Sequence, residues 1–411
     1  MLQPLNGPQK SWQNNPLKLI EALVVISCSL TFTAFVIGIG ILLMTGSSPG
    51  YRDIISFWAA GHQIVHHANP YDSGAIFKLE RLAGLWDRAL PLIMRNPPSA
   101  LCLVMPLGLL TLQTASLIWS VLLIASLILS VHMLWTMHGR PRNLIHLLGY
   151  SFAPALTCIL GGQTALFALL GLVLFLRLHR TRPFAAGAAL WLCALKPHLF
   201  LPFAAVLILW VVLHRRYTLL AGTVLALGAS SLAAWLFDPQ VWPQYLHLLH
   251  SPWSQLEYIP CLSIALRFAV RPQALWLQYV PAAAGSLWGV VYFWNRREAW
   301  SWMQNGALLM LVSVLVSPYG WLTDQTLLIP ALLLAAYRAT RAQIAVLALV
   351  SLAIEIGQAA GKEMHSPVYL WTAPFWLLWY LEVCRRSAAR GFDAAATPND
   401  FPDQSASAWP V

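Results

Sequence analysis

Residues 183–213 read PFAAGAALWLCALKPHLFLPFAAVLILWVVL, two apolar stretches parted by Lys196-Pro197-His198. Read as one helix, the stretch would hold the Lys196 charge near the middle of a bilayer, at about 2.5–3.5 kcal/mol on insertion scales. It would also throw Arg215 to the side opposite the other basic clusters. A proline sits where a break is needed. The stretch is therefore two spans joined by a tight turn, and the chain is an integral membrane protein that crosses its bilayer many times.

Working outward, comparable apolar runs occupy roughly 22–44, 113–137, 144–160, 163–177, 217–237, 273–294, 301–316, 322–337, 342–359 and 368–384. With the two halves of 183–213 these predict an all-α polytopic protein of about twelve spans. Several runs are too short for a hydrocarbon core of about 30 Å as straight helices, so some are expected to end at a cavity cut into the outer leaflet. Two further apolar pieces, 99–111 and 260–270, read as re-entrant or interfacial helices. Composition agrees: 58% of the 411 residues are hydrophobic and 10% charged, far from the quarter charged of a soluble chain. The first run ends in Thr45-Gly46-Ser47-Ser48 without a small-residue cleavage pattern, so it reads as a retained span. Six cysteines without a CxxC pair argue against a zinc site or a disulfide framework.

The net charge of +10 is a topology signal and not a nucleic-acid footprint. With the N-terminus inside, the clusters at Arg140/Arg142, Arg177/Arg180/Arg182, Arg215/Arg216, Arg296/Arg297, Arg338/Arg341 and Arg385/Arg386/Arg390 all become cytoplasmic. The expected divisions are a cytoplasmic N-terminal tail (1–21), a membrane domain (22–384) with a large outer loop (45–98), and a disordered cytoplasmic tail (385–411). Inside the loop, helical spacing after Asp53 predicts an interfacial helix over 53–67, ended by Asn69-Pro70-Tyr71-Asp72. A second such helix is expected over 74–88, and 238–259 reads as an aromatic, proline-rich loop with Trp242, Tyr245, Trp253 and Tyr258.

At the outer junctions the same residue types recur: Asp53, Arg95-Asn96-Pro97-Pro98, Gly161-Gly162-Gln163, Lys196-Pro197-His198, and Ser317-Pro318-Tyr319-Gly320-Trp321 with Asp324. A lysine and histidine beside a helix-breaking proline suit a phosphate, and Arg95 is a further cation for it. Simpler readings stand beside these. Asp53 also fits a helix N-cap, Asp72, the runner-up as base, fits a turn residue, Lys196 a snorkelling helix end, and Gln163 a cap. His62 and His66 have metal-binding spacing but no third ligand, which favours a polar interfacial face. Tyr71 and Trp58 suit interface anchors as well as sugar platforms. Glu355 falls inside a span with no evident partner.

In this order, Asp53-Ile-Ile-Ser-Phe-Trp-Ala-Ala-Gly61, Asn69-Pro70-Tyr71-Asp72, Asn96-Pro97-Pro98 with Met105-Pro106-Leu107, Gly162-Gln163, Leu195-Lys196-Pro197, and Ser317-Pro318-Tyr319 with Asp324 resemble glycosyltransferase family 87 of the GT-C superfamily. The likeness spans about 50–335. It departs at Asn96 and Asn69, where family members often carry an aromatic residue and a glycine, a difference that bears on donor or acceptor preference.

The resemblance implies a GT-C-like fold and an inverting transfer of a hexose from a polyprenyl-phosphate donor to a hydroxyl of a lipid-linked or cell-envelope glycan acceptor. Mannose is the best-known donor sugar of the family. It implies Asp53 as catalytic base, with Lys196, His198 and Arg95 on the donor phosphate and Tyr71, Asp72, Asn96, Gln163, Tyr319 and Asp324 around the substrates. Elementary chemistry agrees, since a single displacement needs one carboxylate for the acceptor proton and cationic stabilisation for the leaving phosphate. No cofactor or metal is expected; the chain has no Asp-x-Asp pair for a nucleotide-bound cation. The expected setting is a bacterial inner membrane, with both termini cytoplasmic and the site on the outer face. A transporter or flippase is the rival reading, which calls for midplane sites and repeat symmetry.

Overall fold

The computed structural model describes residues 16–44, 51–84, 90–250, 258–362 and 364–389, and among these there is no β-strand. The first eight helices are α1 (Pro16–Met44), α2 (Tyr51–Val65), α3 (Ser73–Leu82), α4 (Leu101–Gly108), α5 (Leu112–Met137), α6 (Leu147–Tyr150), α7 (Ala153–Gly161) and α8 (Ala165–Leu178). The middle of the chain forms α9 (Pro183–Cys193), α10 (Leu201–Leu213), α11 (Tyr217–Phe237), α12 (Val241–Leu249) and α13 (Leu262–Val270). It closes with α14 (Val280–Trp294), α15 (Asn305–Leu315), α16 (Ile329–Ala336), α17 (Arg341–Ala359) and α18 (Thr372–Ala389).

A helix stands at each of the twelve apolar runs, but among the described residues four are long and apolar enough to cross a bilayer alone: 18–41, 112–137, 217–237 and 341–359. The other runs hold shorter apolar helices, and lengths of this kind do not establish twelve crossings. Three of the short runs are lengthened by 3₁₀ turns at Pro197–Phe200, Leu275–Tyr279 and Leu322–Leu328. A 3₁₀ turn rises about 2 Å per residue against 1.5 Å in an α-helix, so 322–336 reaches roughly 26 Å with fifteen residues.

Several boundaries differ from expectation. The first helix starts at Pro16, inside the supposed tail, and the last runs on to Ala389. The run 144–160 breaks at Ser151-Phe152 between α6 and α7, where a β-region Phe152 is followed by Ala153-Pro154. The 238–259 segment contains α12, whose Val241 and Leu248 are buried, so Trp242 and Tyr245 are helical residues. Residues 45–50, 85–89, 251–257 (with Trp253) and 390–411 (the rest of the expected C-terminal tail) lie outside the described residues.

Packing follows from small residues at crossings. A Cβ on Gly61 of α2 would sit 2.2 Å from the Val104 carbonyl oxygen, and one on Gly108 of α4 2.1 Å from the Gly61 carbonyl carbon. The two glycines let those helices touch backbone to backbone. Gly187 of α9 and Gly222 of α11 make the same kind of crossing against Leu219 and Phe184. Helix α8 is buried along most of its length and packs on α5 and α9, while α1 packs on α17.

Candidate functional site

Four junctions of this helical array meet at one point. Asp53 enters from the first turn of α2, Gln163 from the α7–α8 junction, Lys196 from the α9–α10 turn, and Asp324 from the 3₁₀ segment Leu322–Leu328 that leads into α16. Their side chains form one unbroken chain. Gln163 Nε2 donates to Asp53 Oδ2 at 2.6 Å; Lys196 Nζ donates to Gln163 Oε1 at 2.8 Å and to Asp324 Oδ1 at 2.6 Å. A glutamine amide suits the middle position because it accepts at one end and donates at the other. The ammonium charge on one side and the carboxylate on the other fix which way the amide is turned.

Each member is held by its local sequence. Helix α2 begins at Tyr51, so Asp53 sits inside the first turn and is not its N-cap; Ser56 Oγ donates to the Asp53 carbonyl at 2.7 Å. A carboxylate there is favoured by the positive end of the helix. Gly162 takes a left-handed conformation (φ 69°), closing α7 with Gln163 N–H on the Cys158 carbonyl at 3.0 Å. Trp119 Nε1 then donates to the Gly162 carbonyl at 2.7 Å and pins that turn to α5. Gly161 leaves room beside Asp53: a Cβ there would be 3.7 Å from Asp53 Oδ2.

Lys196 follows the end of α9 and directly precedes the 3₁₀ turn that Pro197 opens, and it is 8% exposed. Asp324 is fully buried, and its second oxygen accepts from Trp321 N–H at 2.8 Å. A seven-residue 3₁₀ run is longer than usual and marks a segment shaped by something other than helix propensity. The side chain that this run presents is Asp324. Burying the lysine–aspartate pair is tolerable because both charges are matched and further hydrogen bonds satisfy them.

Beside this chain lies an aromatic wall. His198 stacks on Tyr319 with ring centroids 3.7 Å apart, and His198 Nε2 is buried without a hydrogen-bond partner. Burial pushes the Tyr319 phenol up, and its hydroxyl is in electrostatic reach of Tyr245, Tyr279, Arg95 and Asp324. The Arg95 side chain is exposed.

The remaining expected residues are placed differently. The Tyr71 hydroxyl donates to the Asn96 carbonyl at 3.0 Å, and Asn96 Nδ2 donates to the Leu195 carbonyl at 2.7 Å. These two brace the loop before α3 and the Asn96-Pro97-Pro98 segment against the residue preceding Lys196. Tyr71 also packs on Tyr245 at 5.4 Å, and burial pushes its phenol up. Asp72 caps α3 through the amides of Gly74 and Ala75 at 2.8 and 3.0 Å, and it is exposed. His62 and His66 stack on one another at 4.2 Å. Among the described residues no group of three His, Cys, Asp or Glu side chains is placed to hold a metal.

Sequence reasoning passed over three contributors: Trp119, Tyr279 and Arg267. For the two aromatic residues no signal separates them from ordinary core or interface positions. Arg267 did carry one, as the charge within the otherwise apolar helix Leu262–Val270.

Fold and site together define a helical membrane protein with a carboxylate delivered to a buried polar centre by the ends of apolar helices. A family model described as glycosyltransferase family 87 matches residues 95–318, over half of the chain, and the chain belongs to that family. It is a glycosyltransferase. No curated protein and no solved structure matches it. Gln163 and Lys196 lie inside the matched region and Asp53 and Asp324 outside it, so the hydrogen-bonded chain joins the matched segment to sequence on both flanks.

Proposed function

We propose that the protein is a membrane-embedded inverting glycosyltransferase that moves a hexose from a polyprenyl-phosphate donor to a hydroxyl of a lipid-linked or cell-envelope glycan. The reading places the site at the outer face of a bacterial inner membrane with both termini in the cytoplasm, and it requires neither metal nor cofactor. The observation that carries it is the chain from Asp53 through Gln163 and Lys196 to Asp324. A carboxylate oriented by an amide at a junction of apolar helices is what a general base for an acceptor hydroxyl needs.

In this reading the acceptor hydroxyl gives its proton to Asp53 while its oxygen attacks the anomeric carbon. The bond from that carbon to the phosphate oxygen breaks, and polyprenyl phosphate leaves. Gln163 orients the carboxylate. Lys196 uses two of its three donors on Gln163 and Asp324 and has one for a phosphate oxygen. His198, on its Tyr319 platform, and Arg95 complete the phosphate side. Tyr71 and Asn96 serve as braces, and Asp72 keeps a loop in place. The transporter reading finds less support, because the polar side chains gather at helix junctions instead of along a path.

The test is transfer of labelled sugar from a polyprenyl-phospho-sugar to candidate acceptors by purified protein. Asp53→Asn is expected to lower the rate about 10²–10⁴-fold, with the fold retained. Ordinary turnover by that variant removes Asp53 from the chemistry, and coupled uptake into vesicles without transfer favours the rival.

A further inference from the structure

Arg267 is the largest buried charge that the proposed chemistry leaves unused. It lies on α13 (Leu262–Val270), is 2% exposed, and forms no ion pair among the described residues. Nη1 donates to the neutral Gln278 side chain at 2.7 Å, the guanidinium rests 4.9 Å from the Phe268 ring centre, and Nε is buried with no partner. A guanidinium shielded from solvent with a neutral acceptor and an unused donor lacks the charge compensation that an anion would supply. Its fork of N–H groups matches phosphate oxygens.

Its surroundings indicate which anion. Helix α13 starts beside the site: Ser263 Oγ donates to the Val316 carbonyl at 3.3 Å, next to the turn that carries Tyr319. Tyr279 is in electrostatic reach of both Arg267 and Tyr319. The opposite side of this region is apolar and open, with Leu262, Val270, Trp276 and Val280 exposed. A cation facing inward and a greasy surface facing outward suit a phosphate tethered to a long hydrocarbon chain. Lys196 is matched by Asp324 and Arg95 is exposed, so a guanidinium shielded from solvent would add to the positive charge that balances a leaving phosphate.

We propose that Arg267 binds the phosphate of an isoprenoid lipid phosphate whose chain lies over the Leu262, Trp276 and Val280 surface. The proposal rests on the lipid-linked donor reading above and adds a phosphate ligand to it.

The full chain in nanodiscs is titrated with a polyprenyl monophosphate, with inorganic phosphate and with the neutral polyprenol. Arg267→Gln is expected to weaken polyprenyl phosphate binding about tenfold to a hundredfold and to leave the neutral polyprenol unchanged. Arg267→Lys is expected to fall between. Because removal of an unmatched buried charge does not destabilise, Arg267→Met paired with Gln278→Leu is expected to keep or raise the melting temperature of the ligand-free protein. A folded Arg267→Gln protein that binds the lipid phosphate within twofold of wild type overturns the proposal. Inorganic phosphate that binds through Arg267 as tightly as the lipid assigns the site to a free anion and overturns the lipid source. The two readings separate cleanly. Asp53-dependent transfer with no Arg267 effect sinks this inference alone, and Arg267-dependent lipid binding without any transfer sinks the transferase reading alone.

Discussion

Segment 322–336 connects two ionic clusters that look alike on paper and differ in kind. Near its start, Asp324 and Lys196 are buried, 2.6 Å apart, and shared with Gln163. Beyond its other end, where Ser387 Oγ donates to the Arg338 carbonyl, Glu382 meets Arg385 at 2.8 Å and also pairs with Arg386. These last side chains are 36%, 70% and 57% exposed, so water and salt compete for each of them. The first cluster joins four separate parts of the chain, whereas the Glu382–Arg385 and Glu382–Arg386 pairs of the second lie within one turn of α18. An ion pair informs on function when breaking it would disorganise distant segments, and only the buried cluster does that.

The sharpest way to break this comparison is to remove one partner of the buried pair. Asp324→Leu leaves the Lys196 ammonium buried and unmatched, and is expected to destabilise by about 3–5 kcal/mol and to abolish transfer. Adding Lys196→Met removes the stranded charge. Thermal melting should then recover most of the loss, while transfer stays absent because the Lys196 ammonium that would hold the donor phosphate is gone. If the double variant melts as low as Asp324→Leu alone, the pair is not the isolated, charge-matched unit its geometry describes.

A smaller effect is expected one step along the chain. Gln163→Leu cuts the link between Lys196 and Asp53 without stranding the Lys196–Asp324 pair. Turnover is expected to fall about ten- to a hundredfold, or roughly 1.4–2.7 kcal/mol, through loss of carboxylate orientation. Acceptor KM should change little, and Gln163→Glu should not rescue, because a second carboxylate beside Asp53 repels it. An unchanged turnover number in Gln163→Leu would show that Asp53 needs no help in pointing.

How much of this was readable beforehand follows from what each signal measures. The Lys196-Pro197 break, the helix at each apolar run and the family were legible, because burial of charge, proline geometry and hydropathy act locally. Asp53, Gln163, Lys196 and Asp324 could be named as junction residues, but nothing local says that they touch. That depends on the Gly162 left-handed turn, the Trp119 hydrogen bond and the Gly61–Gly108 crossing acting together. Side-chain direction was the weakest inference. Tyr71 and Asn96 face inward as braces and Asp72 caps α3, though their positions resemble those of substrate ligands. Arg267 was overlooked because a charge in a short apolar helix reads as an interfacial end, and only its burial distinguishes it.

The smallest expected effect lies at the exposed cluster, and it decides whether the contrast is one of environment. Glu382→Gln removes the acceptor for Arg385 and Arg386, yet both guanidinium groups keep water as a partner. No measurable change in transfer is expected, and the melting temperature should stay within the scatter of the wild type. Salt sharpens the point. Raising the ionic strength from about 0.01 M to 1 M shortens the screening length from about 30 Å to 3 Å, which should weaken attraction among exposed charges and leave a buried pair almost untouched. Wild type and Glu382→Gln should therefore converge further as salt rises, while the deficit of Asp324→Leu should persist at every concentration. A salt-dependent deficit in Asp324→Leu would mean that water reaches Lys196, and the buried cluster would then differ from the exposed one in degree alone.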